Sequence, residues 1–272
     1  MKTIAIAAAL IAASAPFAAH AGETGTADLI VSGSATLTSD YRFRGVSQSD
    51  KNMAVQGGLT VSHASGPYLG AWASNLAGWG TFGGANMELD LLAGYKAKLS
   101  DNAALDVGLT WYMYPSGAND TDFAEPYAKL SGTSGPFTVT VGAAYAPKQY
   151  ALANVSNAPN SRGQKQDNLY IWTDGAAAIS GTPLTAKAHV GYSDGNPGLG
   201  PNGTSVAPTG RYWDWSLGID AAWRNLTLNL SYVDTDITAA EAARLQPNFS
   251  MGQDGRGSIA DGAVLASITA AF

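Results

Sequence analysis

The chain has 272 residues, no cysteine, 13% charged and 46% hydrophobic residues, and a formal net charge of −6. The missing cysteine excludes a disulfide-stapled domain and a thiolate metal site, and the acidic balance excludes nucleic acid as a partner. A hydrophobic fraction this high with so few charges also excludes a disordered chain.

The first segment is Met1–Ala21. Lys2 precedes an apolar run from Thr3 to Phe17, and Ala19-His20-Ala21 has the small-x-small form of a cleavage site. This predicts a secretory signal peptide over residues 1–21, cut after Ala21, with residues 22–272 as one domain and a mature charge of −7 once Lys2 is lost. No later stretch reaches the roughly 18 apolar residues of a membrane helix. That test does not register strands, whose apolar signal is spread over alternate positions.

Val31–Arg44 carries such a signal. Val31, Gly33, Ala35, Leu37, Tyr41 and Phe43 alternate with Ser32, Ser34, Thr36, Thr38, Asp40, Arg42 and Arg44. Side chains alternate faces along a strand, so this stretch has one apolar and one charged face. It is long enough to cross a bilayer as a tilted strand, which takes about 9–11 residues.

The pattern recurs down the chain. Val55, Leu59 and Val61 alternate with polar or small residues; Tyr68, Gly70 and Trp72 oppose Leu69, Ala71 and Ala73. Met87 to Leu99 alternates with Glu88, Asp90, Lys96 and Lys98, and Leu105 to Met113 with Asp106 and Thr110. Ala124–Leu130 carries Pro126 and mixed faces. Phe137 to Tyr145 alternates cleanly, whereas Leu169–Ile179 has unclear faces. Leu184 to Tyr192 alternates with Lys187 and His189, Trp213 to Trp223 with Asp214 and Asp220, Leu226 to Tyr232 with Thr227 and Asn229, and Val264 to Phe272 with Ser267 and Thr269.

These twelve segments are joined alternately by short turns (64–66, 100–102, 131–135, 181–183, 224–225) and long links (45–52, 76–85, 115–123, 147–167, 194–211, 236–260). The layout predicts an all-β fold: one transmembrane antiparallel barrel of about twelve strands, with short periplasmic turns and long outer loops. Aromatics are expected as two girdles on the lipid face. One holds Tyr41, Phe43, Trp72, Trp111, Tyr145, Tyr192, Trp213 and Tyr232; the other holds Tyr68, Tyr95, Phe137, Trp223 and Phe272. Phe272 ends the last alternating strand, VLASITAAF, and resembles the C-terminal signal read by the barrel assembly machinery.

Ser34–Asn52, SATLTSDYRFRGVSQSDKN, and Val55–Asn75, VQGGLTVSHASGPYLGAWASN, resemble the TorF family. That family is classed with the porins and was formerly described only as a conserved protein of unknown function. The resemblance covers these two stretches closely and the rest of the chain in layout. It implies an outer-membrane barrel and says little about substrate.

In such a barrel the charged faces must point to the lumen, because Arg or Lys facing lipid costs about 2–4 kcal/mol at the midplane. Asp40, Arg42, Arg44, Glu88, Asp90, Lys96, Lys98, Asp106, Lys187, His189, Asp214 and Asp220 are therefore the candidate pore-lining residues. Two outcomes are open. They form a constriction with a transverse field, or they pair and fill the lumen. Asp40, Arg42 and Arg44 are expected at the outer mouth, where Arg favours a carboxylate or phosphate group.

Other motifs are weaker. Gly78-Trp-Gly-Thr-Phe-Gly83 matches a dinucleotide fingerprint without its strand-to-helix context. Asp234-Thr-Asp236 begins like a calcium loop and lacks its later positions. Thr238-Ala-Ala-Glu241 has capping-box form and predicts a short helix in the last loop. His63 has no acid spaced to orient it, and no motif places a nucleophilic Ser. The expectation is no enzyme, no cofactor and no metal. The sequence points to a passive channel for small hydrophilic solutes in the lipid of the bacterial outer membrane. The alternative is a non-conducting barrel with a structural or partner-binding role.

Overall fold

A computed structural model describes residues 28–152, 164–197 and 206–272. The predicted signal peptide lies outside them. Strand β1 (Leu29–Thr38) is followed by two short strands, β2 (Arg42–Phe43) and β3 (Val46–Ser47). Then come β4 (Ala54–His63), β5 (Pro67–Asn75), β6 (Met87–Ser100), β7 (Ala103–Met113), β8 (Phe123–Ser134) and β9 (Phe137–Gln149). The second half contributes β10 (Gln166–Ala178), β11 (Leu184–Gly195), β12 (Arg211–Trp223), β13 (Leu226–Thr235), the helix α1 (Ala239–Ala243) and β14 (Ala263–Ala271).

All but β2 and β3 join one closed antiparallel barrel of 12 strands in which each pairs with its chain neighbour. The ring closes where β1 meets β14, from Ser34 opposite Ala271 to Thr38 opposite Ser267. Phe272 extends this seam: its N–H donates to the Gly33 carbonyl at 2.9 Å, and the Gly33 N–H donates to the Phe272 carbonyl at 2.7 Å. Closure leaves no unpaired edge, which a spanning sheet requires.

The outer face is apolar and bare. Leu69 is 66% exposed, Leu217 64% and Val264 68%. A continuous belt of this kind around the barrel calls for lipid rather than water. Trp111, Tyr145, Trp213 and Tyr232 are exposed toward the long-loop end, and Tyr95, Phe137, Trp223 and Phe272 toward the short-turn end. Tyr192 packs on Trp213 with ring centroids 4.8 Å apart.

The wall departs from the sequence-based expectation in three places. First, β1 stops at Thr38, and residues 40–49 leave the wall and turn into the barrel, so Tyr41 and Phe43 are not girdle residues. Tyr41 is buried, with its ring 5.4 Å from Trp72.

Second, β5 has the opposite facing. Leu69 is on the lipid side, whereas the Tyr68 hydroxyl donates to Asp106 at 2.7 Å and Trp72 packs in the interior. An aromatic with a polar tip is satisfied inside a polar lumen, so the larger residue need not face lipid.

Third, the segments with mixed or unclear faces are full strands. Pro126 is accommodated in β8 because the β8–β9 ladder starts only at Tyr127, leaving no ladder bond for it to miss. Beyond that point the Gln149 side chain replaces the partner strand. Its Oε1 accepts from the Ala124 N–H at 2.7 Å and its Nε2 donates to the Ala124 carbonyl at 2.8 Å.

The long-loop end is covered. Val46, Trp79, Tyr212, Ile237, Ala242, Leu245, Phe249 and Ile259 form an apolar cluster there. The glycine-rich Gly78–Gly83 stretch is part of this cover: Gly78–Thr81 is a 3-10 turn whose buried Trp79 meets Phe249 edge-on at 5.0 Å. α1 has the expected capping box, with the Glu241 N–H donating to Thr238 Oγ1 at 3.2 Å and the Thr238 N–H donating to Glu241 Oε2 at 2.8 Å. That backbone N–H, helped by the Thr238 hydroxyl, holds the Glu241 carboxyl below its ordinary range.

Candidate functional site in the lumen

Residues 40–49 build the site. β2 and β3 form a hairpin whose two-residue turn, Arg44-Gly45, has φ of +49° and +79°. Both central residues at positive φ make the primed turn that fits strand twist, and Gly at the second position is its usual occupant. Gly45 has a further reason to lack a side chain: Thr235 and Asp214 crowd the place a Cβ would fill.

Asp40 anchors the base of the hairpin. Its carboxylate accepts from Arg42 Nε at 2.6 Å, Ser47 Oγ at 2.5 Å and Ser49 Oγ at 3.0 Å. Arg42 Nη1 donates to the carbonyls of Gly45, Ile259 and Asp261 at 2.9, 3.0 and 3.1 Å, tying the hairpin to the loop before β14.

The tip crosses the barrel. Arg44 Nη2 donates to both oxygens of Glu125 on β8, at 2.6 and 2.7 Å. Its guanidinium lies 4.2 Å over the Tyr170 ring of β10 and 4.7 Å from its neighbour Phe43. Tyr112 donates to the same Glu125 at 3.2 Å, and the Tyr41 hydroxyl donates to Glu88 on β6 at 3.2 Å. The Arg44 side chain is only 5% exposed, and the Glu125 carboxylate beside it is its counter-charge.

The walls carry three further polar groups. His189 is bonded between two carboxylates, Asp174 at 2.6 Å through Nδ1 and Asp214 at 3.1 Å through Nε2, with the Tyr170 hydroxyl 2.9 Å from Nε2. Lys187 pairs with Asp220 at 3.4 Å, and Asn229 donates to Asp220 at 2.6 Å. Lys129 pairs with Asp106 at 3.2 Å, and Tyr68 and Tyr127 share a hydrogen bond beside it.

Ten of the twelve candidate residues therefore face the interior above its short-turn rim. Asp40, Arg42 and Arg44 are not on a wall at the mouth but on the inserted hairpin. Lys98 is at the rim, where it pairs with the turn residue Asp101 at 2.7 Å and is 71% exposed in its side chain, and Lys96 is exposed near the same end.

Sequence reasoning missed Glu125, Lys129 and Asp174. All lie on β8 and β10, whose faces the sequence left undecided. Counting alternate residues from Glu125 to Ser131 would have put Glu125, Tyr127 and Lys129 on one face. Among the described residues no group of three or more His, Cys, Asp or Glu is arranged to hold a metal ion.

The interior is graded. Along the inner face of β8, Phe123 and Glu125 are buried, Tyr127, Lys129 and Ser131 half-buried, and Thr133 exposed. The lumen is thus wetted from the short-turn end up to the hairpin. At the hairpin there remains a cavity of about 60 Å³ among Arg42, Arg44, Glu125, Lys129, His189 and Asp214. That is room for a few waters.

The same architecture occurs in solved porins. The NanC porin, solved in a rhombohedral crystal form, superposes with a TM-score of 0.55 at 11% identity, over 89% of this chain and 99% of its own. The KdgM porin, solved in complex with disordered oligogalacturonate, gives 0.52 at 8% identity over 89% and 99%. These likenesses are of fold. No curated protein matches the sequence. The family model that matches spans residues 22–272 and is described as a bacterial protein of unknown function, Gcw_chp; it does not carry the TorF name. With nearly the whole chain matched, the protein belongs to the Gcw_chp family of bacterial proteins, and its barrel is built like a porin.

Proposed function

We propose that this protein is a channel of the bacterial outer membrane through which small hydrophilic solutes diffuse. The observation that carries this reading is the graded inner face. A barrel serving only as a wall gains nothing from a polar vestibule that runs in from one end to a ring of charges. Here Thr133, Ser131, Lys129 and Asp106 keep water up to the level of the hairpin. The hairpin then stands across the lumen, with the Arg44 guanidinium against the Glu125 carboxylate, an arrangement that selects by charge. The barrel is of the class built by NanC and KdgM, which supports transport over catalysis.

A specific observation favours a second reading. The cavity at the hairpin is only about 60 Å³ and the long-loop end is covered, so passage requires the hairpin and this cover to shift; if they never shift, the barrel is non-conducting. Refolded protein in planar bilayers decides. The channel reading expects discrete ion currents and swelling of proteoliposomes in sugars, amino acids or organic acids. Correctly folded barrels that pass no current would leave the non-conducting reading.

A further inference from the structure

Two donors in the lumen have nothing to bond. Arg42 Nη2 and Arg44 Nη1 are buried without a hydrogen-bond partner among the described residues. Both side chains are more than nine-tenths buried, and both residues belong to the walls of the same cavity of about 60 Å³. An unmet buried donor is unfavourable, the more so on a charged group. Two from separate guanidinium groups at one cavity are a standing demand for an acceptor.

The charge around the cavity has the matching sign. Arg42, Arg44 and Lys129 line it, as does His189, which lies between two carboxylates. Of the acids, Glu125 and Asp214 line it too. Asp40 and Asp106, which balance Arg42 and Lys129, do not line the cavity. The cavity surface is therefore richer in cations than the lumen as a whole. A carboxylate offers two oxygens and about four lone-pair positions, enough to accept from two guanidinium nitrogens. The volume limits the ligand to a few heavy atoms.

We infer that this cavity binds a small carboxylate, held by Arg42 Nη2 and Arg44 Nη1. As the class of solute the channel prefers, the inference rests on the channel reading; as a binding site it stands without it. Glu125 competes for Arg44, so the bound anion and the Arg44–Glu125 pair oppose each other.

The test uses the refolded full barrel in detergent micelles with carbon-13 acetate as probe, read by saturable line broadening. Acetamide, similar in shape and uncharged, is the control ligand. Acetate should broaden and acetamide should not. Arg42→Gln and Arg44→Gln should each weaken acetate binding about tenfold or more, the loss of a charge-assisted hydrogen bond. Glu125→Gln should strengthen it. Arg211→Gln, which removes an equal charge at an exposed position, should leave it unchanged. Absence of saturable acetate broadening in wild-type barrel overturns the site, as does equal broadening by acetamide. These two wild-type results stand even if an arginine variant does not fold. Current through bilayers is recorded from the same preparation. Acetate binding without current removes the channel reading and keeps the site, and current without acetate binding does the reverse.

Discussion

Arg44 and Glu125 are separated by 81 positions in the chain and bonded at 2.6 and 2.7 Å inside the barrel. β8, which carries Glu125, stands five strands from β1 one way round the ring and seven the other. The pair is thus a strut across nearly the full width of the lumen, from a loop that leaves β1 to the far wall.

Removing one end of that strut strands the other charge in a buried site. Arg44→Ala should lower stability by an amount of the order of 3–5 kcal/mol, less to the extent that lumen water reaches Glu125. It should also raise single-channel conductance, because the hairpin loses its far anchor. Unfolding in urea measures the first effect and planar-bilayer recording the second. Unchanged conductance in a folded variant would show that the hairpin does not set the pore.

Gly45→Ala tests the seat of the hairpin from its own backbone. At φ +79° an L-residue costs about 1–2 kcal/mol, and the new methyl also runs into Thr235 and Asp214. The variant should melt at lower temperature in the heat-dependent gel-mobility shift of folded barrels. A melting point equal to wild type would mean that the turn is not held where it is described.

Leu217→Arg tests the lipid face. Leu217 is in the middle of β12 and 64% exposed. Arg there should reduce folding into lipid vesicles by about 2–4 kcal/mol. Thr227→Lys, on the inner face of β13, should cost far less. Equal penalties at the two positions would mean that the faces are misassigned.

The last loop has a local switch of its own. Thr238→Ala removes the helix cap and should cost about 1 kcal/mol, seen as faster amide exchange in residues 239–243 rather than global unfolding. The Glu241 carboxyl is held below its ordinary range, so its contribution is fully present above the unfolded value. It is lost as pH falls through the lower, folded one. Amide protection in α1 should therefore drop on acidification, and should no longer do so in Glu241→Gln.

The ring of strands was legible because a spanning sheet leaves a period-two record in every strand, and the capping box because it is a four-residue motif. What hid the site was the lumen itself. Inside a polar barrel an aromatic with a hydroxyl is as content as a Ser, so Tyr68 and Tyr170 on the inner face blur the apolar-against-polar rule that located the other strands. Asp40–Arg44 continued the alternation of β1 perfectly and still left the wall. Its apolar members found Trp72, Tyr112 and Phe123 in the interior, a long-range reward that no local pattern announces. Pro126 made β8 look broken and so concealed Glu125, the residue that Arg44 reaches.

The hairpin comes from the first long connection, yet its holdfasts at Glu125, Tyr170 and Ile259 are supplied much later in the chain. A ring sealed at Gly33 and Phe272 in advance would have to admit that segment through its mouth, past the apolar cover formed by Trp79, Phe249 and Ile259. The seat of this early segment is thus made by strands and loops from the middle and the end of the chain, so a change at Glu125, Tyr170 or Ile259 is felt at residues 42–47.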